Sequence, residues 1–247
     1  MIDSTIVRLT FRQLLGQKRT ILMAAFALLP VLIALLVRVS ADSGDDLQEL
    51  TASVVLDVLV VGLLLPFTAL VFGTAALGTE FEDGTAVYLL SKPIPRATVV
   101  LSKLLVAWLA TVGVVLISAL AAGLITIAGE PQDGIVLGFA VGVVAGSLVY
   151  CAAFIWLSIA TSRALIVGLL YVFIWENVVV GLFEGVRVFS IRAYTAGIAA
   201  IFMDVPDRVF EADLAGGVAV AFAIFIIALT TWFAVRALSR WEIGEAS

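Results

Sequence analysis

Residues 135–160, IVLGFAVGVVAGSLVYCAAFIWLSIA, decide the fold class. The run contains no Asp, Glu, Lys or Arg. At 1.5 Å of rise per residue, about 20 apolar residues cross a hydrocarbon core of about 30 Å, and this run is longer than that. Working outward from it, five more windows meet the same criterion: 20–39, 53–78, 104–128, 165–183 and 214–235. The whole chain of 247 residues is 63% hydrophobic and 13% charged, with a mean hydropathy of +1.19. A soluble domain is about 45–50% apolar and about 25% charged. The pattern predicts an all-α polytopic membrane protein, a single transmembrane domain over 1–247 with six transmembrane helices. The apolar run after the basic N-terminal residues is too long for the core of a signal peptide, so it is expected to be a retained first span.

Composition also excludes chemistry. The sequence has no His, which removes His-dependent metal sites, Ser-His-Asp and Cys-His nucleophiles and His proton relays. Its one cysteine, Cys151, forms no internal disulfide and lies in an apolar run, where packing is its expected role. No GxxxxGK[ST] sequence is present, so ATP is not expected to bind here through a P-loop. The net charge of −5 gives no reason to expect a nucleic-acid partner. No enzyme, metal or cofactor is expected on this chain.

The connections give the orientation. The first, 40–52, carries Asp42, Asp45, Asp46 and Glu49 without a basic residue, and the third, 129–134, carries only Glu130 and Asp133. With the N-terminus inside, ten of the 14 Lys and Arg residues fall on the cytoplasmic side. The four on the other side are Arg38, Arg187, Arg192 and Arg208, three of them in the long fifth connection. The positive-inside rule therefore places both termini in the cytoplasm. Arg outnumbers Lys, which suits a GC-rich prokaryote and hence a prokaryotic plasma (inner) membrane.

Two segments are expected to lie on the bilayer rather than across it. Residues 3–18 place Val7, Phe11 and Leu14 on one helical stripe and Arg8 and Arg12 on another. That is an interfacial helix with an apolar face in lipid and a basic face toward anionic headgroups. The outer segment 184–213 contains RVFSIRAYTAGIAAIF at 187–202. It is too apolar for a solvated loop and too interrupted to span, so it reads as re-entrant short helices between spans five and six.

Three polar residues stand inside the spans: Asp57 in the second and Glu176 and Asn177 in the fifth. An acidic residue at the centre of a span costs about 2.5–3.5 kcal/mol on insertion scales. Two roles would offset that cost: lining a pathway, or a structural hydrogen bond to a neighbouring helix or to the backbone of 184–200. Nothing in the sequence brings Asp57 and Glu176 together. Gly138, Gly142 and Gly146 recur every four residues and so share one helix face. This small-residue stripe permits close helix approach, with packing inside the bundle favoured over dimerisation.

The polar stretch 79–103, TEFEDGTAVYLLSKPIPRATVVLSK, interrupts this apolar sequence. Acids come first (Glu80, Glu82, Asp83), then Gly84 and Thr85, an apolar run, Pro93 and Pro95, and the basic Arg96 and Lys103. A helix is expected from about Glu82 to Leu90, stopping before Pro93, which disfavours helical backbone at the residue before it. Three acids on a side that otherwise favours basic residues suggest a basic docking surface on a partner.

Together, the basic interfacial helix, the six spans, this acidic–Gly-Thr–apolar–Pro–Arg–Lys loop and the long outer segment after Trp175 and Glu176 resemble the membrane subunits of ABC-2-type transporters. The resemblance implies a permease of an ATP-driven exporter. It makes Glu80, Glu82, Asp83, Gly84, Thr85, Pro93, Arg96 and Lys103 the ATPase-coupling residues of a cytoplasmic coupling helix and its flanks. The interfacial helix, with Arg8, Phe11 and Arg12, would join them in a groove of a separate ABC ATPase subunit. It implies two ATPase copies carrying the ATP and Mg, and a second permease copy, identical or related, in a membrane of lipids. Two other readings compete. A secondary transporter or channel would work without an ATPase and would need inward-facing ionisable groups, for which Asp57 and Glu176 are the candidates. A non-transporting structural subunit of a membrane assembly complex would show no transport. The sequence leaves the cargo open.

Overall fold

A computed structural model describes residues 4–15, 18–40, 45–82, 94–129 and 133–240. Among them there are helices and no strands. Six helices are long and apolar enough to cross a membrane: Arg19–Ser40, Leu47–Gly78, Arg96–Thr126, Ile135–Ala160, Ala164–Leu182 and Gly216–Arg240. The first span begins, and the sixth ends, on what is here termed the terminal face; the opposite side is the distal face. The second and third spans extend beyond the sequence-based windows. The second already starts at Leu47, and the third starts at Arg96, directly after Pro95. Pro lacks an N–H and is at home at the start of a helix.

The fourth span is the axis of the bundle. Two-thirds of its most apolar window is buried, against 22% for the first, fifth and sixth spans. The second, third and sixth spans pack on it, and so does a short helix of the fifth connection, Ile191–Ala200. That inserted helix is packed on nearly every side, with Ile191 and residues 193–199 all buried. The glycine stripe is what admits it. A Cβ on Gly142 would lie 2.7 Å from the Thr195 carbonyl oxygen, and one on Gly138 would lie 2.5 Å from that of Ala199. A Cβ on Gly146 would collide with the Thr195 side chain. The stripe therefore serves packing within one chain.

Local irregularities have local causes. The first span breaks at Ala27, between the helices Lys18–Phe26 and Leu28–Ser40. Pro30 cannot donate to the carbonyl four residues earlier and its ring crowds that carbonyl. The Ser118 hydroxyl of the third span donates to the Ala27 carbonyl at 2.6 Å. Two stretches are π-helical, Leu50–Leu64 in the second span and Tyr171–Val179 in the fifth. The two acidic residues of the sequence reading, Asp57 and Glu176, fall one in each. Such wide turns concentrate at functional or specially constrained positions.

The N-terminal helix Ser4–Leu15 packs on the third span and on the end of the second. The sequence reading put the apolar stripe Val7, Phe11 and Leu14 in lipid. Val7 and Leu14 instead face the bundle, together with Thr10, while Phe11 is 42% exposed and Arg8 is exposed. Part of the stripe expected in lipid is thus spent on contact with the protein.

Candidate functional site

The acid-to-base loop is flanked by two described ends. The second-span helix continues as Leu65–Glu82, so Glu80 and Glu82 ride on the end of that span. Asp83, Gly84, Thr85, Lys92 and Pro93, with the helix expected as far as Leu90, lie outside the described residues. Arg96 opens the third span. Lys103, two turns further on, is 1% exposed. It was expected at the membrane interface. Instead its ammonium donates to Glu80 Oε1 at 2.7 Å and to the Ala76 carbonyl at 2.6 Å. A buried ammonium needs both a counter-charge and hydrogen-bond acceptors, and the end of the second span supplies them. The pair therefore ties together the two helices from which the loop emerges.

At the distal half of the bundle the polar residues of the spans converge. Glu176 is 4% exposed and satisfied by four donors from three elements. The Tyr171 hydroxyl donates to Oε1 at 2.8 Å and that of Tyr150 at 3.3 Å. Ser190 donates to Oε2 at 2.5 Å, and the Ile191 backbone N–H to Oε1 at 2.9 Å. Ser190 is the N-cap of the inserted helix, and its hydroxyl oxygen also accepts from the Ala193 N–H at 3.1 Å. A helix N-terminus leaves N–H groups without partners and carries the positive end of the helix dipole. The Glu176 carboxylate answers both. Tyr150 lies about 22 Å of helix in from Ile135, so the inserted helix starts deep in the bundle and runs out to the distal face.

Asp57 holds the same helix end from the other side. Its Oδ2 accepts from Arg192 at 2.5 Å. Gly62 follows Asp57 by one π-helical turn, and a Cβ there would lie 3.2 Å from the Arg192 guanidinium carbon. The missing side chain thus makes room for the arginine. Around these groups opens a cavity of about 170 Å³ lined by Asp57, Glu176, Asn177, Arg187, Arg192 and Asp213 among others. Arg187 and Asp213 pair across its mouth at 2.7 Å. Asn177 donates to the Val172 carbonyl at 2.7 Å, completing a π-helical turn.

Asp57 and Glu176, which the sequence did not connect, therefore line one cavity. They are joined through consecutive residues of one helix, Ile191 and Arg192. Glu176 makes the hydrogen bonds weighed for it, to a neighbouring helix and to the backbone of 184–200, and it also lines the cavity. Sequence reasoning missed Tyr150, Tyr171, Ser190 and Arg192. The signal for Ser190 was its N-cap chemistry before a helical run. That for Arg192 was its presence among the few basic residues assigned to the wrong side for the positive-inside rule.

Residues 4–198 match the model of a protein family described as ABC-2 family transporter protein. The match covers the first five spans, the loop 79–103 and most of the inserted helix. No curated protein matches the chain.

Proposed function

We propose, from the premise that the chain belongs to the ABC-2 transporter family, that it is the permease of an ATP-driven exporter coupled to a separate ATPase subunit. It is a transporter permease with several membrane-spanning helices. Permeases of this family typically work with ATPase partners. The energy would enter at the terminal face, which this reading makes cytoplasmic. The cargo would pass between two permease copies, with two ATPases supplying ATP and Mg.

One observation supports this placement most: the elements assigned to coupling sit together. The N-terminal helix Ser4–Leu15 packs on both the end of the second span and the third span. These are the two helices that flank 83–93, and Lys103 locks them to each other. A push on the loop would therefore move both helices and the N-terminal helix together. Chemistry on the chain itself is not part of this reading.

The test is to co-express the chain with its ATPase and reverse charge at Glu82 and Asp83. Glu80 is the wrong target, because it accepts from Lys103 and its loss would disturb folding. With Glu82→Lys and Asp83→Lys, the ATPase should still be folded and hydrolyse ATP, but stimulation by the permease should fall toward the level of the ATPase alone. Unchanged stimulation and transport in that variant would reject the coupling role, and so would a chain that transports with no ATPase present.

A further inference from the structure

The second span is one unbroken helical run from Asp45 to Glu82, reaching from the distal cavity to the start of the loop assigned to coupling. It is built in two parts. Leu65–Glu82 is α-helical and carries Glu80, which Lys103 ties to the third span. Leu50–Leu64 is π-helical and carries Asp57. Pro66 stands at the junction. Bends in long helices concentrate at prolines and at π-helical turns, so this junction is where the span gives most readily.

On the distal side of that junction, one hydrogen bond among the described residues joins the second span to the inserted helix Ile191–Ala200, from Arg192 to Asp57 Oδ2. The pair meets through a single carboxylate oxygen, whereas an arginine and a carboxylate frequently pair through both. Asp57 Oδ1 is buried with no hydrogen-bond partner. A buried acceptor without a donor is costly, and the cavity lies beside it. Parting the pair therefore loses an ion pair but opens Oδ1 to water from the cavity, which offsets part of the loss. The other side of the helix tip has no such imbalance, because Glu176 takes donors from the fourth span, the fifth span and the tip itself. An ion pair is parted once it lengthens past about 4 Å, and this one measures 2.5 Å. Asp57 stands about 12 Å of helix beyond Pro66, so a bend of about 7° there is enough.

We propose that Asp57 and Arg192 form the latch of the distal cavity. A bend of the second span about Pro66, driven from the loop 79–103, parts the pair and frees the inserted helix on that side. Glu176 meanwhile keeps the helix tip on the fourth and fifth spans. The cavity then widens between the second span and the inserted helix, and the side chains of Ala193 and Ala196, which line it while buried, come into contact with water. Gly62 belongs to the latch as well, since its missing side chain leaves the room in which the guanidinium lies. This assignment rests on the reading of the chain as an ATP-driven permease, and it adds to that reading the residues through which the two ends of the bundle communicate.

Ala196 is 7% exposed, so a cysteine in its place is shielded while the latch holds. Ala196→Cys is introduced into the full chain, which is co-expressed with its ATPase and placed in lipid nanodiscs. The rate of modification by a charged methanethiosulfonate is measured with and without ATP. Cys151 is buried, and the chain without Ala196→Cys gives the background. ATP should raise the rate about tenfold, within the usual range for coupling between two sites. Adding Asp57→Asn or, separately, Arg192→Gln should raise the rate without ATP to that seen with ATP, so that ATP no longer changes it. A pair that served stability alone would raise both rates together and keep their ratio, and that result overturns the proposal. So does a rate indifferent to ATP in the chain with its latch intact, where that chain still stimulates the ATPase. A chain that does not stimulate the ATPase at all overturns the permease reading itself. The comparison with and without ATP on the intact latch decides the matter even if a latch variant fails to fold, and Ala193→Cys, 3% exposed in the same cavity, is the second reporter.

Discussion

The two ends of the bundle solve the same problem differently. Near the terminal face, a buried cation in the third span, Lys103, is held by a carboxylate and a carbonyl of the second span. In the distal half, a buried carboxyl group in the fifth span, that of Glu176, has no cation among its hydrogen-bond partners; three hydroxyls and one helix-terminal N–H donate to it. The first arrangement joins two long helices side by side and resists their separation. The second fixes the tip of one short helix and binds it to the fourth and fifth spans through hydrogen bonds gathered on a single side chain. The difference suits a molecule in which force enters at one end and a packed element must be moved at the other.

The largest effect is expected at the terminal end, because a full charge there is matched by another. Lys103→Ala should cost about 3–5 kcal/mol, the usual penalty for removing one partner of a buried pair. Thermal unfolding of the purified chain in detergent would read it. The double variant Lys103→Met with Glu80→Leu should recover most of the loss, since an apolar pair of similar volume is often tolerated at a buried ion-pair site. If the single variant were as stable as the parent, the two helices would not depend on the pair and the contrast between the ends would fail.

Next comes Glu176. Removing it as Ala leaves three hydroxyls and a backbone N–H buried without their acceptor. Each such orphan costs about 1–3 kcal/mol before relaxation, and the hydroxyls can rotate to other acceptors, so about 3 kcal/mol is expected in all. Glu176→Gln keeps an acceptor oxygen and should cost about 1 kcal/mol. The informative readout is local. Hydrogen exchange at the N–H groups of Ile191 and Ala193 should speed up in both variants, more in Ala than in Gln, while amides of the third span remain protected. Uniform loss of protection would mean that Glu176 supports the whole bundle.

A packing variant separates capping from fit. Gly146→Ala forces a methyl group into the Thr195 side chain. Overpacking of this kind costs about 1–3 kcal/mol. Adding Thr195→Ala should restore part of it by removing the atoms in the way, whereas it should do nothing for Glu176→Ala. Stability of the four chains in one detergent gives the comparison.

How much of this was legible in the sequence depends on which force was being read. Span existence follows from length and apolarity alone, so residues 135–160 declared themselves without a partner. The inserted helix was visible as a segment too apolar for water and too broken to span. Its destination was not, because the partners of Ser190 and Arg192 stand 14 and 135 residues away, as Glu176 and Asp57. Periodicity reports which face of a helix is apolar, and it does not report which polar residues meet. For the same reason Lys103 was assigned to the membrane interface: a lysine 23 residues from a glutamate in sequence looks solvated until the fold closes the gap. The N-terminal helix shows the same limit. Periodicity marked Val7, Phe11 and Leu14 as its apolar side and gave that side to lipid, whereas Val7 and Leu14 pack on the bundle beside Thr10 and Phe11 stays exposed.

The smallest effect is expected for Asp57 and Arg192, and it tests whether the distal clamp needs both of its arms. The side chains are 18% and 27% exposed, so the pair is partly wet and its worth is discounted accordingly. Asp57→Asn keeps the shape and one acceptor and should cost about 1 kcal/mol or less. The cost should shrink further in high salt if solvent ions reach the cavity, whereas the loss from Glu176→Gln should not, since Glu176 is closed off. Arg192→Lys is the sharper substitution. A lysine keeps the charge but loses the planar fork that fits beside Asp57 over Gly62, so a cost larger than that of Asp57→Asn would mean that geometry, more than charge, secures this arm. If neither substitution alters exchange at Ile191, the Glu176 cap alone positions the inserted helix, and the second span is free to move past it.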